Sequence, residues 1–128
     1  MKKLLSQIID AYPELKYALL DAQTFDPKHF GFPEIYYKIM ETDTVRVNAF
    51  REAFQYYDNL KDKVVCEVGV GTLALTKLFL PYVKKAYLIE SNPHLFDFIE
   101  TELAQNGWDE KVIFIKGDAL KTKLPEKV

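Results

Sequence analysis

The sequence predicts an α/β fold in which N-terminal helices precede a three-stranded parallel half sheet with the order β-α-β-α-β. Apolar residues recur at helical spacing up to about residue 59. Beyond that point, three short apolar runs alternate with helical patterns, which is typical of a parallel sheet. The 128 residues suit one domain. We therefore expect a single domain over 1–128, with a helical arm over 1–59 and the sheet over 60–128.

The first half of the chain contains only helical patterns and one marked loop. Proline suits the first turn of a helix, whereas two prolines and a glycine close together mark a loop. The predicted elements are an apolar-striped helix within residues 4–12, a second helix over 13–20, a loop over 26–33, and further helices over 34–40 and 43–57. The last of these has its apolar face on Val47, Phe50, Phe54 and Tyr57.

The second half alternates between strands and helices. Short apolar runs bounded by turn residues predict buried strands over 63–68, 85–90 and 111–116. Between them, a helix is expected over 72–80, stopped by Pro81, and another from Asn92-Pro93 to Gln105. Asn92 suits a helix N-cap, and Pro93 suits the first helical position. The sheet should therefore be parallel with right-handed crossovers, and helices from the first half could cover its faces.

The candidate site follows the three strands. The segment from Glu67 to Gly71 places two glycines directly after the first strand, where the backbone turns tightly and a ligand approaches closely. Glu90 ends the second strand, at the distance where an acid binds ribose hydroxyls in Rossmann-like folds. Asp118 follows the third strand at the same edge. Together these residues predict a nucleoside-like ligand at the carboxyl edge of the sheet.

Composition excludes several other classes of protein. The net charge of -2 argues against a broad basic surface, so no nucleic-acid partner is expected. A single cysteine, Cys66, rules out a disulfide framework and fits a reducing compartment. His29 and His94 lack metal-ligand spacing, so no metal is expected. With no long apolar stretch and no signal-peptide core, we expect a cytoplasmic protein without a membrane span.

These motifs resemble those of class I S-adenosylmethionine-dependent methyltransferases. The resemblance covers the pattern Glu67-x-Gly69-x-Gly71, Glu90, and Gly117-Asp118-Ala119. The preceding helical pattern, Met40-x-x-Asp43-x-x-Arg46-x-x-Ala49-x-Arg51-x-Ala53, resembles the segment before strand one of protein arginine methyltransferases. The resemblance runs from about Ile35 to Val128 and corresponds to the N-terminal, cofactor-binding half of a seven-stranded fold. It implies S-adenosylmethionine as cofactor.

The resemblance also implies roles for individual residues. Arg46 matches the arginine that pairs with the cofactor carboxylate, for which a guanidinium fork is suited. Met40 matches a methionine near the transferred methyl group. Asp43–Arg46 pairing within one helix, and a core position for Met40, are the structural alternatives. The complete implied set of cofactor-binding residues is Arg46, Glu67, Gly69, Val70, Gly71, Glu90, Ser91, Asp118 and Ala119.

The chain departs from the family pattern in three places. Leu73 stands where a third glycine is usual and is expected to add bulk beside the cofactor. Tyr37 replaces a histidine three residues before Met40. The sequence ends where strand four would begin, so the catalytic residues are unassigned, and methyl transfer to an unidentified acceptor, a protein among the candidates, requires the missing half. We expect the free edge of the first strand to be covered by the N-terminal helices, a second copy in a homodimer, or a partner chain. The alternative, which we favour slightly, is that the sequence is part of a longer or split protein whose C-terminal half completes the sheet.

Two other functions remain open from the sequence. Gly69-x-Gly71-x-x-Ala74 with Glu90 also satisfies the pattern of a nicotinamide dinucleotide-binding domain. Glu67 before the glycines and the helical arm before the first strand argue against that interpretation. The second is a non-catalytic module that binds a nucleoside ligand, or none, and dimerises through its sheet edge.

Overall fold

The computed structural model describes residues 34–57 and 59–128, with side chains from Tyr37 onward. The predicted helices over 4–12 and 13–20 and the loop over 26–33 lie outside the described residues. The helices are α1 (Glu34–Thr42), α2 (Thr44–Tyr56), α3 (Thr76–Phe79) and α4 (Phe96–Gln105), and the strands are β1 (Val64–Val68), β2 (Lys85–Glu90) and β3 (Val112–Lys116). Short 3₁₀ turns follow α3, precede α4 and follow β3.

The three strands form one parallel sheet in the order β1-β2-β3, which confirms the predicted α/β class. Val64 pairs with Lys85 and Ala86 pairs with Val112, so the strands are nearly level at their starts. Each crossover contains one helix, and β2 lies at the centre with five of its six residues buried. The strand ends that carry the predicted site are therefore neighbours.

The hydrophobic core lies between one face of the sheet and the two crossover helices. Ala86 and Leu88 of β2 are fully buried, and they belong to one cluster with Phe79 of α3 and with Ile99 and Leu103 of α4. Side chains alternate between the faces of a strand, so residues spaced by two share this face. Burial of each such side chain contributes about 1.5–3 kcal/mol.

The opposite face of β2 is closed near its start by the C-terminal residues. Tyr87 is 1% exposed, and its hydroxyl donates to the Glu126 carboxylate at 2.7 Å. Lys85 donates to the same carboxylate at 2.6 Å. Lys85 and Tyr87 are two residues apart and project from the same face, so one carboxylate binds both.

Helix α2 packs against the rest of the fold mainly through one aromatic side chain, rather than along a continuous apolar face. Phe54 is half-buried and packs edge-to-face on Phe79, with ring centroids 5.7 Å apart. Phe50 stacks on Phe54 but is partly exposed. Tyr57 is 66% exposed, so the predicted apolar face is wrong at this position. The reason is that Tyr57 follows the last helical turn and no longer lies on the α2 face.

The first crossover helix is much shorter than predicted. It begins at Thr76, whereas a helix was expected from Thr72 to Leu80. Leu73 has a φ of +67°, a left-handed backbone conformation that interrupts a right-handed helix. Its side chain is fully buried in the core cluster. The expectation that Leu73 adds bulk beside the cofactor is therefore wrong, because the left-handed turn directs this side chain into the core.

Strand β1 forms one edge of the sheet within the described residues. It pairs with β2 on one side, and no described strand pairs with its other side. Val68 at its end is 62% exposed. The expectation that another segment or chain covers this edge stays a prediction. Among the residues that the structure describes, no helix is both long and apolar enough to cross a membrane.

Candidate functional site

Backbone hydrogen bonds join the ends of the three strands into one edge. The N–H of Gly69 donates to the carbonyl of Ile89 at 2.8 Å, and the N–H of Gly117 donates to the carbonyl of Glu90 at 2.8 Å. The turn after β1, the end of β2 and the turn after β3 are therefore adjacent. Ligands of open α/β sheets bind at this carboxyl edge.

The carboxylate of Glu90 is the polar centre of this edge. The residue is 4% exposed. One of its oxygens accepts from the backbone N–H groups of Ser91 and Asn92, each at 2.8 Å, and the other accepts from Gly71 N–H at 3.1 Å. A carboxylate has about four acceptor positions. Three are used within the protein, so Glu90 retains about one position for a ligand hydroxyl.

The two glycines of the turn differ in their surroundings. Gly69 has a φ of +71° and is exposed, and an added Cβ would meet nothing within 4 Å. Gly71 has a φ of +56° and is buried, and an added Cβ would overlap the ring of Tyr37. Val70 between them is buried in the core. The crevice is therefore open to a ligand in front of Gly69 and filled by Tyr37 in front of Gly71.

Glu67, the second acid of the site, is half-buried and lies two residues before Gly69 on the core side of β1. Its carboxylate accepts a hydrogen bond from the hydroxyl of Thr76 at the start of α3. Burial raises the pKa of the Glu67 carboxyl from its ordinary value of 4.5 to about 7, and the charge of Glu90 acts in the same direction, whereas the Thr76 hydroxyl opposes the shift. Acids whose pKa is shifted by burial and a neighbouring charge are typical of functional sites.

The raised pKa of Glu67 makes stability depend on pH. Between about pH 4.5 and 7, the folded protein holds a proton at Glu67 that the unfolded chain has released. Stability therefore falls as pH rises through this window. Glu67→Gln keeps the acceptor for Thr76 and removes the titration. We expect the free energy of unfolding of Glu67→Gln, relative to that of the unchanged protein, to increase by roughly 3 kcal/mol from pH 5 to pH 8, at about 1.36 kcal/mol per pKa unit.

Urea denaturation at pH 5 and pH 8 measures this change. Glu52→Gln on α2 is a suitable control, because Glu52 is exposed and far in sequence from the site. A stability difference between Glu67→Gln and the unchanged protein that is equal at both pH values would contradict the raised pKa.

The helical residues implied by the resemblance lie before β1. Asp43 caps α2 by accepting from the backbone N–H of Arg46 at 3.1 Å. The Arg46 guanidinium lies 6.0 Å from the centroid of the Phe50 ring and forms no ion pair with any described residue. The Asp43–Arg46 ion-pair alternative is therefore wrong, because Asp43 binds the backbone of Arg46. Met40 is half-buried near the end of α1.

The third strand contributes an exposed acid. Asp118 caps a short 3₁₀ turn that begins at Ala119, by accepting from the N–H of Leu120 at 2.9 Å. Its side chain is 46% exposed and lies 4.0 Å from Lys121. Because Gly117 is bonded to Glu90, Asp118 follows directly at the same edge.

Two further contacts at this edge were not expected from the sequence. Thr72 is 2% exposed and donates its hydroxyl to the carboxylate of Glu41 on α1. Tyr37, noted only as a departure from the family pattern, covers Gly71. Tyr37 and Glu41 are four residues apart, which places both on one face of a helix. This spacing is the sequence signal from which the pair could have been found. In the described part of the chain, no group of three or more potential metal ligands comes together.

The fold and the site together define a class of protein. A parallel strand-helix order with glycines after β1, a buried acid at the end of β2 and a polar turn after β3 is the arrangement of a nucleoside-binding α/β domain. The space in front of Gly69 and the buried carboxylate of Glu90 lie together at this edge.

Comparison with known proteins identifies the family within this class. The model of the ribosomal RNA adenine dimethylase family matches residues 33–128. An uncharacterized protein of Methanocaldococcus jannaschii is 30% identical over 95 residues, which are 74% of this chain and 36% of the archaeal protein. The chain belongs to the ribosomal RNA adenine dimethylase family, which is part of the class I methyltransferases that use S-adenosylmethionine as cofactor.

Solved structures support the same class. The structure of Arabidopsis thaliana protein arginine methyltransferase 10 is 30% identical, with a TM-score of 0.67, and the match covers 73% of this chain and 27% of the plant chain. A Trypanosoma brucei arginine methyltransferase, in an enzyme-prozyme heterotetramer with S-adenosylhomocysteine, is 26% identical with a TM-score of 0.64. That match covers 79% of this chain and 31% of the trypanosome chain. The chain thus spans about a third or less of these structures.

Proposed function

We propose that this chain forms the S-adenosylmethionine-binding part of a methyltransferase. The observation that carries the proposal is the joined strand edge, where the buried Glu90 carboxylate fixes the turn after β1 and the start of the segment after β2. The open space at Gly69 lies beside it. In the proposed arrangement residues 1–59 act as an arm on a single domain over 1–128.

We assign the cofactor groups to residues by chemistry. The ribose hydroxyls face Glu90 and Ser91, and adenine faces Asp118 and the Ala119 backbone. The amino-acid part of the cofactor lies along Glu67 and residues 69–71, with its carboxylate paired to Arg46 by a bidentate contact. Met40 is proposed near the methyl group.

When bound, the cofactor supplies an electrophilic methyl group on a sulfonium, and the residues of this chain position it. Catalysis is proposed to require the part of the fold that follows strand three, from the same chain or a partner. Homodimerisation through β1 is a further proposal for covering that edge, because β1 has no partner there among the described strands.

The acceptor is proposed in two forms, each resting on a different observation. A protein side chain is favoured by the 30% identity to the plant arginine methyltransferase. An adenine of ribosomal RNA is favoured by the family match over residues 33–128. Both are nitrogen nucleophiles that need the same cofactor geometry.

The geometry gives less support to a dinucleotide. In dinucleotide-binding domains, the second glycine lets the backbone approach a pyrophosphate at the start of a helix. Here the N–H of Gly71 is bonded to Glu90, its α-carbon is covered by Tyr37, and α3 begins five residues later at Thr76. No free amide cradle for a pyrophosphate is formed at this glycine.

Titration with S-adenosylhomocysteine tests the proposal, with Arg46 as the sensitive residue. We expect saturable calorimetric binding, and a loss of about tenfold or more in affinity for Arg46→Ala, since a charge-assisted bidentate contact contributes about 1.5–3 kcal/mol. Arg51→Ala is the matched control, because Arg51 lies on the same helix and is bound to Asn48.

The same titration separates the alternative functions. Binding of NAD alone would overturn the proposal in favour of a dinucleotide domain. The absence of binding by S-adenosylmethionine, S-adenosylhomocysteine and NAD would favour the non-catalytic module. Equal affinities of Arg46→Ala and Arg51→Ala would remove Arg46 from the site.

A further inference from the structure

Helix α1 contacts the second half of the glycine turn at two points. The ring of Tyr37 fills the space in front of Gly71, and the Glu41 carboxylate accepts from the hydroxyl of Thr72. Tyr37 and Glu41 are one helical turn apart, so both contacts come from the same face of α1. These contacts cover Gly71 and Thr72, which are buried, while Gly69 remains exposed.

The entrance to the crevice is therefore open on one side and closed on the other. A ligand that lies along both glycines requires the backbone of Gly71 to be accessible, since close approach is the reason for a glycine there. With Tyr37 against Gly71, that approach is blocked. A ligand can occupy the whole crevice only after α1 or the Tyr37 ring moves.

A pivot for this movement lies between the first two helices. Asp43 is the one non-helical residue between Glu34 and Tyr56, with φ -71° and ψ 86°. It caps α2 through the N–H of Arg46, so α2 keeps its start when α1 moves. Hinges are typically such element-terminal positions, which absorb a change in φ and ψ.

We propose that α1 is a latch over the second half of the cofactor crevice, with Tyr37 and Glu41 as its contacts to the glycine turn and Asp43 as its pivot. The inference rests on the proposed function, because the ligand whose entry the latch controls is an adenosyl compound. It goes further by making ligand entry depend on a helix that is separate from the strand-end residues.

The test combines hydrogen exchange without ligand and the kinetics of S-adenosylhomocysteine binding. The variants are Glu41→Ala and Tyr37→Ala, both on α1, so the glycine turn keeps its sequence. Glu52→Ala on α2 is the matched control, an exposed glutamate at a helical position. We expect amides of residues 70–73 to exchange about tenfold faster in both α1 variants, because Glu41→Ala removes a hydrogen bond to a charged group and Tyr37→Ala removes the ring that covers Gly71.

We expect the association rate constant for S-adenosylhomocysteine to rise by a similar factor in both α1 variants and to stay unchanged in Glu52→Ala. Unchanged exchange in Glu41→Ala and Tyr37→Ala would overturn the latch. Faster exchange with an unchanged association rate constant would show that α1 covers the turn but does not control ligand entry. If no protein of the series binds S-adenosylhomocysteine, the proposed function fails and the cofactor latch with it.

Discussion

Glu90→Ala is expected to abolish S-adenosylhomocysteine binding and to lower the free energy of unfolding by roughly 3 kcal/mol or more. The variant removes a buried acceptor that serves three backbone N–H groups, those of Gly71, Ser91 and Asn92. Each buried donor left without a partner costs about 1–3 kcal/mol. Affinity should fall by more than about a hundredfold, because the ribose contact and the shape of the turn are lost together.

Two further variants separate these effects. Glu90→Gln retains one acceptor oxygen and replaces the other by a donor, so we expect intermediate losses in both quantities. Glu100→Ala is the control, because Glu100 forms an exposed ion pair with Lys116 at 2.6 Å, and such pairs contribute about 0–1 kcal/mol. Urea denaturation and calorimetry measure the series. A Glu90→Ala protein as stable as Glu100→Ala would contradict the role of Glu90 in fixing the turn.

At position 73, the glycine variant is expected to be at least as stable as the alanine variant, which is the reverse of the usual order. Leu73→Ala should destabilise the fold by about 2–5 kcal/mol, the cost of truncating a fully buried leucine. Leu73→Gly leaves a similar cavity but adopts the φ of +67° without the roughly 1–2 kcal/mol that an L-residue loses there. The glycine variant should therefore equal or exceed the alanine variant in stability.

Leu103 in the last turn of α4 provides the matched comparison, because it is 6% exposed and has helical geometry. At this position glycine should be about 1 kcal/mol less stable than alanine. Thermal or urea unfolding of the four variants gives both differences. If the alanine variant is more stable than the glycine variant at both 73 and 103, Leu73 does not hold a left-handed conformation.

The strands were predictable from the sequence because their signal is local. Short β-branched runs bounded by turn residues gave bounds that agree within one residue with the structure at β1, β2 and β3. The adjacency of Gly69, Glu90 and Asp118 was also predictable, since parallel order brings strand ends to one edge. Fold class and cofactor therefore followed from pattern and resemblance.

The remainder depends on tertiary packing that no local pattern encodes. The apolar run after Gly71 reads as a helix from Thr72, yet burial of Leu73 in the core selects a left-handed residue and delays α3 to Thr76. The use of three Glu90 acceptor positions by the backbone depends on how the turn closes around it. The position of α1 over the turn likewise depends on packing between distant segments.

The order of the sheet has a consequence for how the chain folds. Each strand pairs with its neighbour along the chain, one crossover away, and β2 makes both pairings. Pairing of strands that are consecutive along the chain costs less loop entropy than pairing of more distant strands of a parallel sheet. Since neither pairing exists without β2, that strand belongs to any folding nucleus of the sheet, and changes in its buried residues should slow folding more than they accelerate unfolding.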